Sequence, residues 1–353
     1  MVQKILYGML VLVPITIALH LLGIGGHTLI FVLSALSLIP LAGVLGTATE
    51  ETAIYTGPKI GSLLNATLGN MAELIIAFAA LREGLEGVVR ASIAGSIIGN
   101  ILIVLGASLF VGGLKNGIQT FDVREASTNA TMMTLAVISL VVPGLFWLTD
   151  ADGVRLDRHD AERLSDGVAL IMLVIYAAYL YFTLFQKGAS RSKVAHTEPA
   201  TMSLPVAIGL LIAATIAVVV VSEILVGVIE PTAESWGLSE VFIGLIVVPL
   251  VGNIAEHLVA VKAAWNNDMD LSMGIALGSG LQVALFVAPV LVLLGELVNK
   301  PIPMIFNSWE LIALIAAVLL AVAISQDGES NWLEGAQLIA VYLLLGTAFY
   351  FAG

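Results

Sequence analysis

Apolar runs of helical length recur along nearly the whole chain, separated by short polar or glycine-rich connections. Crossing about 30 Å of hydrocarbon takes about 20 apolar residues in an α-helix. On that measure the pattern predicts eleven transmembrane helices, at approximately 5–22, 27–46, 57–82, 87–111, 125–146, 165–186, 204–229, 240–265, 271–297, 306–325 and 332–351. The longest polar connections are Thr149–Ser165, rich in Asp and Arg, and Gln186–Ser203, which carries Lys187, Arg191 and Lys193.

Two of the apolar runs carry the same pentapeptide, Gly69-Asn70-Met71-Ala72-Glu73 and Gly252-Asn253-Ile254-Ala255-Glu256. Positions 69 and 252 differ by 183 residues, and so do the pairs Gly95-Ser96 and Gly278-Ser279. A constant offset makes the segment from helix 2 to helix 6 a copy of helix 7 to helix 11. Five helices per copy is an odd number, so the second copy enters the membrane from the opposite side, the inverted-repeat arrangement of many secondary transporters. The expected layout is a single integral membrane domain: an extra helix at 5–22, a first repeat at 27–186, a linker at 187–203 and a second, inverted repeat at 204–353.

Composition agrees with this reading: 59% hydrophobic residues, 11% charged and a mean hydropathy of +1.03 describe an all-α polytopic membrane protein. The first helix is read as retained, because its apolar run is long and no small-residue cleavage site clearly follows. With no cysteine there is no disulfide framework, thiolate ligand or cysteine nucleophile. A formal charge of −12 argues against nucleic acid as a partner. Lys and Arg number eight on the side of the N-terminus (Lys4, Lys59, Lys115, Arg124, Lys187, Arg191, Lys193, Lys262) and six on the other (Arg82, Arg90, Arg155, Arg158, Arg163, Lys300). The imbalance favours an internal N-terminus and an external C-terminus, and the expected location is the cell membrane.

A carboxylate at the centre of a membrane helix costs about 2.5–3.5 kcal/mol on insertion scales, so one that recurs in a repeated motif implies function. Glu73 and Glu256 are read as two halves of one cation site. Around them the helix is poorly made, with Gly57, Pro58, Gly61 and Gly69 before Glu73, and Pro249 and Gly252 before Glu256. Pro249 has no N–H for the Leu245 carbonyl, and freed carbonyls beside a carboxylate are hard oxygen ligands. A site of oxygen atoms alone suits calcium. Asn70, Asn253, Ser96, Ser279, Asn100 and Gln282 are candidates for the supporting shell, and Gly95, Gly99, Gly274, Gly278 and Gly280 would let the backbones approach.

Each assignment has a plainer competitor. The two glutamates could be protonated packing residues, and the Asn, Ser and Gln side chains ordinary interhelical hydrogen-bonding groups. His257 projects about 100° from Glu256 round the helix. It is a candidate for proton coupling, or a neutral imidazole bonded to a neighbouring helix. Glu50, Glu51, Glu223 and Glu230 fall near helix ends, where a solvated carboxylate is the default.

At these residues the chain resembles the calcium/proton antiporters of the calcium/cation exchanger superfamily. The likeness is carried by Leu45-Gly46-Thr47-Ala48-Thr49-Glu50, by Gly69 to Glu73 with Leu74-Ile75, by Ser222 to Gly227 leading to Glu230-Pro231, and by Gly237 to His257. The resemblance implies alternating access and a central site where Glu73 and Glu256 bind calcium or protons. It also implies that Asn70, Asn253, Ser96 and Ser279 surround the ion, and that helices 2 and 7, with Glu50 and Glu230, gate it. Partners would be Ca2+, H+ and the lipid bilayer, with Ca2+ as cargo and no cofactor. One departure is the linker, whose only acidic residue is Glu198 where some relatives carry an acidic helix.

Two facing carboxylates in a low-dielectric cavity need compensation that either one divalent cation or protons supply, and exchange follows from that competition. The alternatives are sodium/calcium exchange on the same fold, whose members usually carry Ser or Thr in place of Asn70 and Asn253, and transport of manganese or another divalent cation. A channel fits inverted repeats less well. An intramembrane enzyme is disfavoured by the lack of a His-Glu-x-x-His pair or a Gly-x-Ser-x-Gly elbow. Monomer and homo-oligomer are equally compatible with so apolar a surface.

Overall fold

A computed structural model describes residues 2–148, 157–185 and 200–352. Most of the predicted linker and part of the Thr149–Ser165 connection lie outside the described residues. Among those described, eight helices are long and apolar enough to cross a membrane: Gly26–Thr56, Ile60–Glu83, Glu86–Asn116, Val123–Trp147, Arg158–Phe185, Leu204–Val226, Met269–Leu297 and Trp332–Phe351. A ninth span arises if Ile229–Trp236 and Glu240–Gly252, bent by 110°, are taken together. Leu6–Leu22 and Ser308–Ile324 are shorter apolar helices.

Two predicted boundaries move for identifiable reasons. The helix expected to end at 46 runs on to Thr56. Within this polar stretch the Thr47, Thr49 and Thr52 hydroxyls are satisfied inside the helix itself, donating to the carbonyls of Gly43, Leu45 and Ala48. It stops where Gly57, at φ +81°, precedes Pro58. The helix expected at 204–229 ends at Val226, and Ile229–Trp236 forms a separate short helix. That short helix closes with Gly237 in the left-handed region, and the chain restarts where the Ser239 hydroxyl accepts the Phe242 N–H.

The 183-residue offset recurs in the backbone. Helices begin at Met71 and Ile254, at Glu86 and Met269, and again at Leu105 and Ala288. Gly84 and Asn267, also 183 apart, share the left-handed conformation, at φ +82° and +64°.

The chain divides into two compact units, Met1–Val89 with Lys193–Ala255, and Arg90–Ser192 with Glu256–Ala352. In the first, Gly26–Thr56 packs along Leu204–Val226. One end of this unit joins Thr28 to Ser235 and the Phe31 ring to the Trp236 edge. At the other end Glu51 accepts hydrogen bonds from the Thr201 and Met202 backbones and the Thr201 hydroxyl.

In the second unit Leu105–Asn116 packs on Trp332–Ala352, with backbone nearly touching backbone. A Cβ on Gly335 would lie 2.2 Å from the Phe110 nitrogen and 2.5 Å from the Gly106 carbonyl oxygen. A two-residue antiparallel pairing of Gln119–Thr120 with Glu329–Ser330 closes one end of this unit.

Gly335→Ala therefore overpacks that contact and is expected to cost about 1–3 kcal/mol, read as a lower melting temperature in detergent. Gly167→Ala, where a Cβ meets nothing within 4 Å, is expected to leave the melting temperature unchanged or slightly higher.

Candidate functional site

Each copy of the repeated pentapeptide coincides with a break in its helix. Pro58–Leu68 ends before Gly69, Asn70 adopts φ −97° and ψ 20°, and Met71–Glu83 starts anew. In the second copy Val248–Gly252 ends, Asn253 adopts φ −98° and ψ 2°, and Ile254–Trp265 follows. Both asparagines are 1% exposed. Glu73 and Glu256 thus lie in the first turn of a half-helix, where unsatisfied N–H groups and the helix dipole favour negative charge. The sequence placed the carboxylates in weak helix; the structure puts them at helix starts.

Pro249 is accommodated differently from the sequence expectation. The chain widens into a π-helical turn at Ile243–Val247, immediately before the proline, with the Val248 N–H bonded to the Ile243 carbonyl. The Pro249 carbonyl is itself well used, accepting the Asn253 backbone N–H at 3.0 Å and its side-chain amide at 3.1 Å.

In the first unit, Gly252 lies against Glu73. A Cβ there would sit 3.5 Å from the Glu73 Cγ and 3.6 Å from Oε1, in ordinary van der Waals contact with the carboxylate side chain. Glu73 itself is half-buried.

In the second unit, three helices join through one polar chain. Ser279 hydrogen-bonds to the Glu256 carboxylate and accepts from the Asn100 amide at 3.2 Å. A serine hydroxyl can do both at once, with its proton on the carboxylate and a lone pair facing Asn100. Ser279 is 5% and Asn100 1% exposed. Glu256 Oε2 is buried with no hydrogen-bond partner among the described residues. An orphaned carboxylate oxygen in a buried position favours occupancy by a cation or a proton.

The remaining candidates separate. Ser96 is buried and Gln282 half-buried on the helices that carry Asn100 and Ser279. These helices pass into π-helical turns at Gly99–Val104 and Val283–Val287. His257 presents a buried Nε2 with no partner among the described residues, so that nitrogen makes no bond to a neighbouring helix. Glu50 and Glu230 are exposed. Glu223, also exposed, pairs with Arg82 at 2.8 Å.

Two expectations are corrected. Glu51 is 7% exposed rather than solvated, because the helix continues past it and the Thr201–Met202 turn closes over it. Of the glycines expected at close approaches, Gly280 is one, since its Cβ would lie 3.6 Å from the Asn100 Cβ and 2.9 Å from the Met133 Cε. Gly99, Gly274 and Gly278 face open space.

No group of three or more His, Asp or Glu side chains among the described residues is arranged to hold a metal. A cation held at Glu73 or Glu256 would therefore complete its shell from amides, hydroxyls and backbone carbonyls, the neutral oxygen donors that calcium accepts.

The chain is similar to known proteins over almost its whole length. A protein of Synechocystis sp. named Ca(2+)/H(+) antiporter is 42% identical over 99% of this chain and 98% of its own. The Ca(2+)/H(+) antiporter ChaA of Bacillus subtilis is 44% identical over 91% of this chain and 92% of its own. The solved structure of native YfkE superimposes with a TM-score of 0.85 at 40% identity, covering 99% of this chain and all of that one. The sodium/calcium exchanger protein family matches residues 26–185 and 206–351, and this multi-pass membrane protein belongs to that family.

Proposed function

We propose that this protein is a secondary antiporter, not an enzyme, that exchanges calcium for protons across a membrane by alternating access. Relatives named as Ca(2+)/H(+) antiporters at 42% and 44% identity support the exchange. The observation that carries the chemistry is the buried, orphaned Oε2 of Glu256 on a carboxylate held by Ser279 at the start of a half-helix. Glu73, at the equivalent helix start, is its counterpart. Together they bind one Ca2+ or protons, never both sets at full charge, and competition between the two cargoes couples their movement.

Asn70, Asn253, Ser96, Ser279, Asn100 and Gln282 supply neutral oxygens or hold the carboxylates in place, and His257 stands as a proton-coupling group. Eleven spans result if Leu6–Leu22, Ser308–Ile324 and the segment reaching Trp265 each cross with the eight long helices. Helix starts and the left-handed turns that recur 183 residues apart support two inverted repeats, at 27–186 and 204–353, joined by the linker. The protein sits in the cell membrane with its N-terminus on the inner side, and Glu50 and Glu230 line the gates.

Reconstituted vesicles under an imposed pH gradient are expected to take up calcium, and a sodium gradient of equal size is expected to drive none. Glu73→Gln and Glu256→Gln should each abolish uptake in folded protein; undiminished uptake in either contradicts the assignment. Ser279→Ala removes a hydrogen bond to a charged group, worth about 1.5–3 kcal/mol, and is expected to weaken calcium binding roughly tenfold or more in a calorimetric titration.

A further inference from the structure

Glu256, Ser279 and Asn100 sit on three different helices of the second unit, so the geometry of their polar chain depends on what fixes those helices to one another. Within this unit one buried side chain ties the segment that follows the Asn100 helix to the other two helices. Gln119 is 2% exposed. Its Nε2 donates to the Ala264 carbonyl at 2.9 Å and to Asn267 Oδ1 at 2.8 Å. Ala264 is in the last turn of Ile254–Trp265, the helix of Glu256. Asn267 is the left-handed residue of the turn between that helix and Met269–Gln282, the helix of Ser279. Gln119 itself follows the helical segment Leu105–Asn116, which continues from the π turn containing Asn100.

We propose that Gln119 is a positioning residue for cation binding: its amide sets the axial position of the Glu256 helix and its angle to the Ser279 helix. The proposal rests on Glu256 being a cation-binding carboxylate.

Four features support it. The amide orientation is dictated, since both partners are acceptors and only the NH2 end can face them. The backbone of Gln119 is anchored independently, by antiparallel pairing with Ser330 and by the Phe121 N–H bonded to the Gly328 carbonyl. Gly112 makes room for the amide: a Cβ there would lie 2.1 Å from Gln119 Oε1 and 3.0 Å from the Ala264 oxygen. Lastly, the two hydrogen bonds engage a helix-end carbonyl and the side chain that shapes the turn, so losing them frees a rotation between helices as well as one contact. Lys115 and Asn116 add bonds to the Trp265 carbonyl at 2.9 and 3.3 Å, on the exposed rim of the same cluster. A displaced helix end moves Glu256 with it, because the intervening two turns are rigid helix.

The test uses the full chain in vesicles, measuring KM for calcium and maximal rate separately at matched amounts of folded protein. Gln119→Leu keeps the volume and removes both donors. Asn267→Gly keeps the left-handed turn and removes one acceptor, and it decides the matter should the leucine variant fail to fold. Both are expected to raise KM for calcium, by roughly tenfold for Gln119→Leu as for other residues that orient a metal ligand, while the maximal rate changes less. An unchanged KM in the folded variants overturns the proposal, as does a fall in rate alone. Glu256→Gln is the control that separates the two readings. If it transports normally, the role of Glu256 fails; if it is inactive while the Gln119 and Asn267 variants keep the original KM, only the positioning role fails.

Discussion

A carboxylate taken out of water must be compensated, and within a membrane-spanning bundle the protein has few means to do so. Here the compensation starts with the backbone. By breaking its helix at Asn70 and again at Asn253, the chain places Glu73 and Glu256 on fresh helix starts, where the helix dipole supplies partial positive charge. A permanent cation would neutralise the site for good; a helix start lowers the cost of the anion while leaving room for an exchangeable one. In the second unit Ser279 and Asn100 extend this by a polar relay that satisfies part of the Glu256 carboxylate and leaves Oε2 open.

The breaks depend on small and special residues at particular positions. Gly252 lies directly against the Glu73 side chain. The left-handed turn that follows each glutamate helix uses glycine at 84 but asparagine at 267, and the asparagine costs more backbone strain in return for an oxygen that Gln119 can hold. The two copies thus share a backbone path and differ in how it is secured.

Much of this was legible in the sequence, and the reasons are physical. Apolar runs of membrane length reveal spans because hydrocarbon admits little else, and two charged residues in such runs stand out because burial is costly. The equal spacing of Gly69, Gly252, Gly95 and Gly278 anticipated the matching helix starts. What escaped was local and cooperative. The run Thr47 to Thr56 looks like a polar end until its hydroxyls bond back into their own helix, and Glu51 looks solvated until the distant Thr201 closes on it. Gln119, in a short polar turn, gives no signal in sequence at all, since its importance comes from Ala264 and Asn267, nearly 150 residues away. Pro249 signalled a disturbed helix correctly, but not that a π turn before it and a break at Asn253 after it would share the disturbance.

In the exchange we propose, Glu73 and Glu256 serve one exchangeable calcium ion. A structure determined with calcium bound, with the ion located by its anomalous scattering, tests it most directly. The account predicts a single calcium with carboxylate oxygens of both Glu73 and Glu256 at about 2.3–2.6 Å and neutral oxygens completing the shell. A calcium bound by only one of the two carboxylates, or by neither, would contradict it.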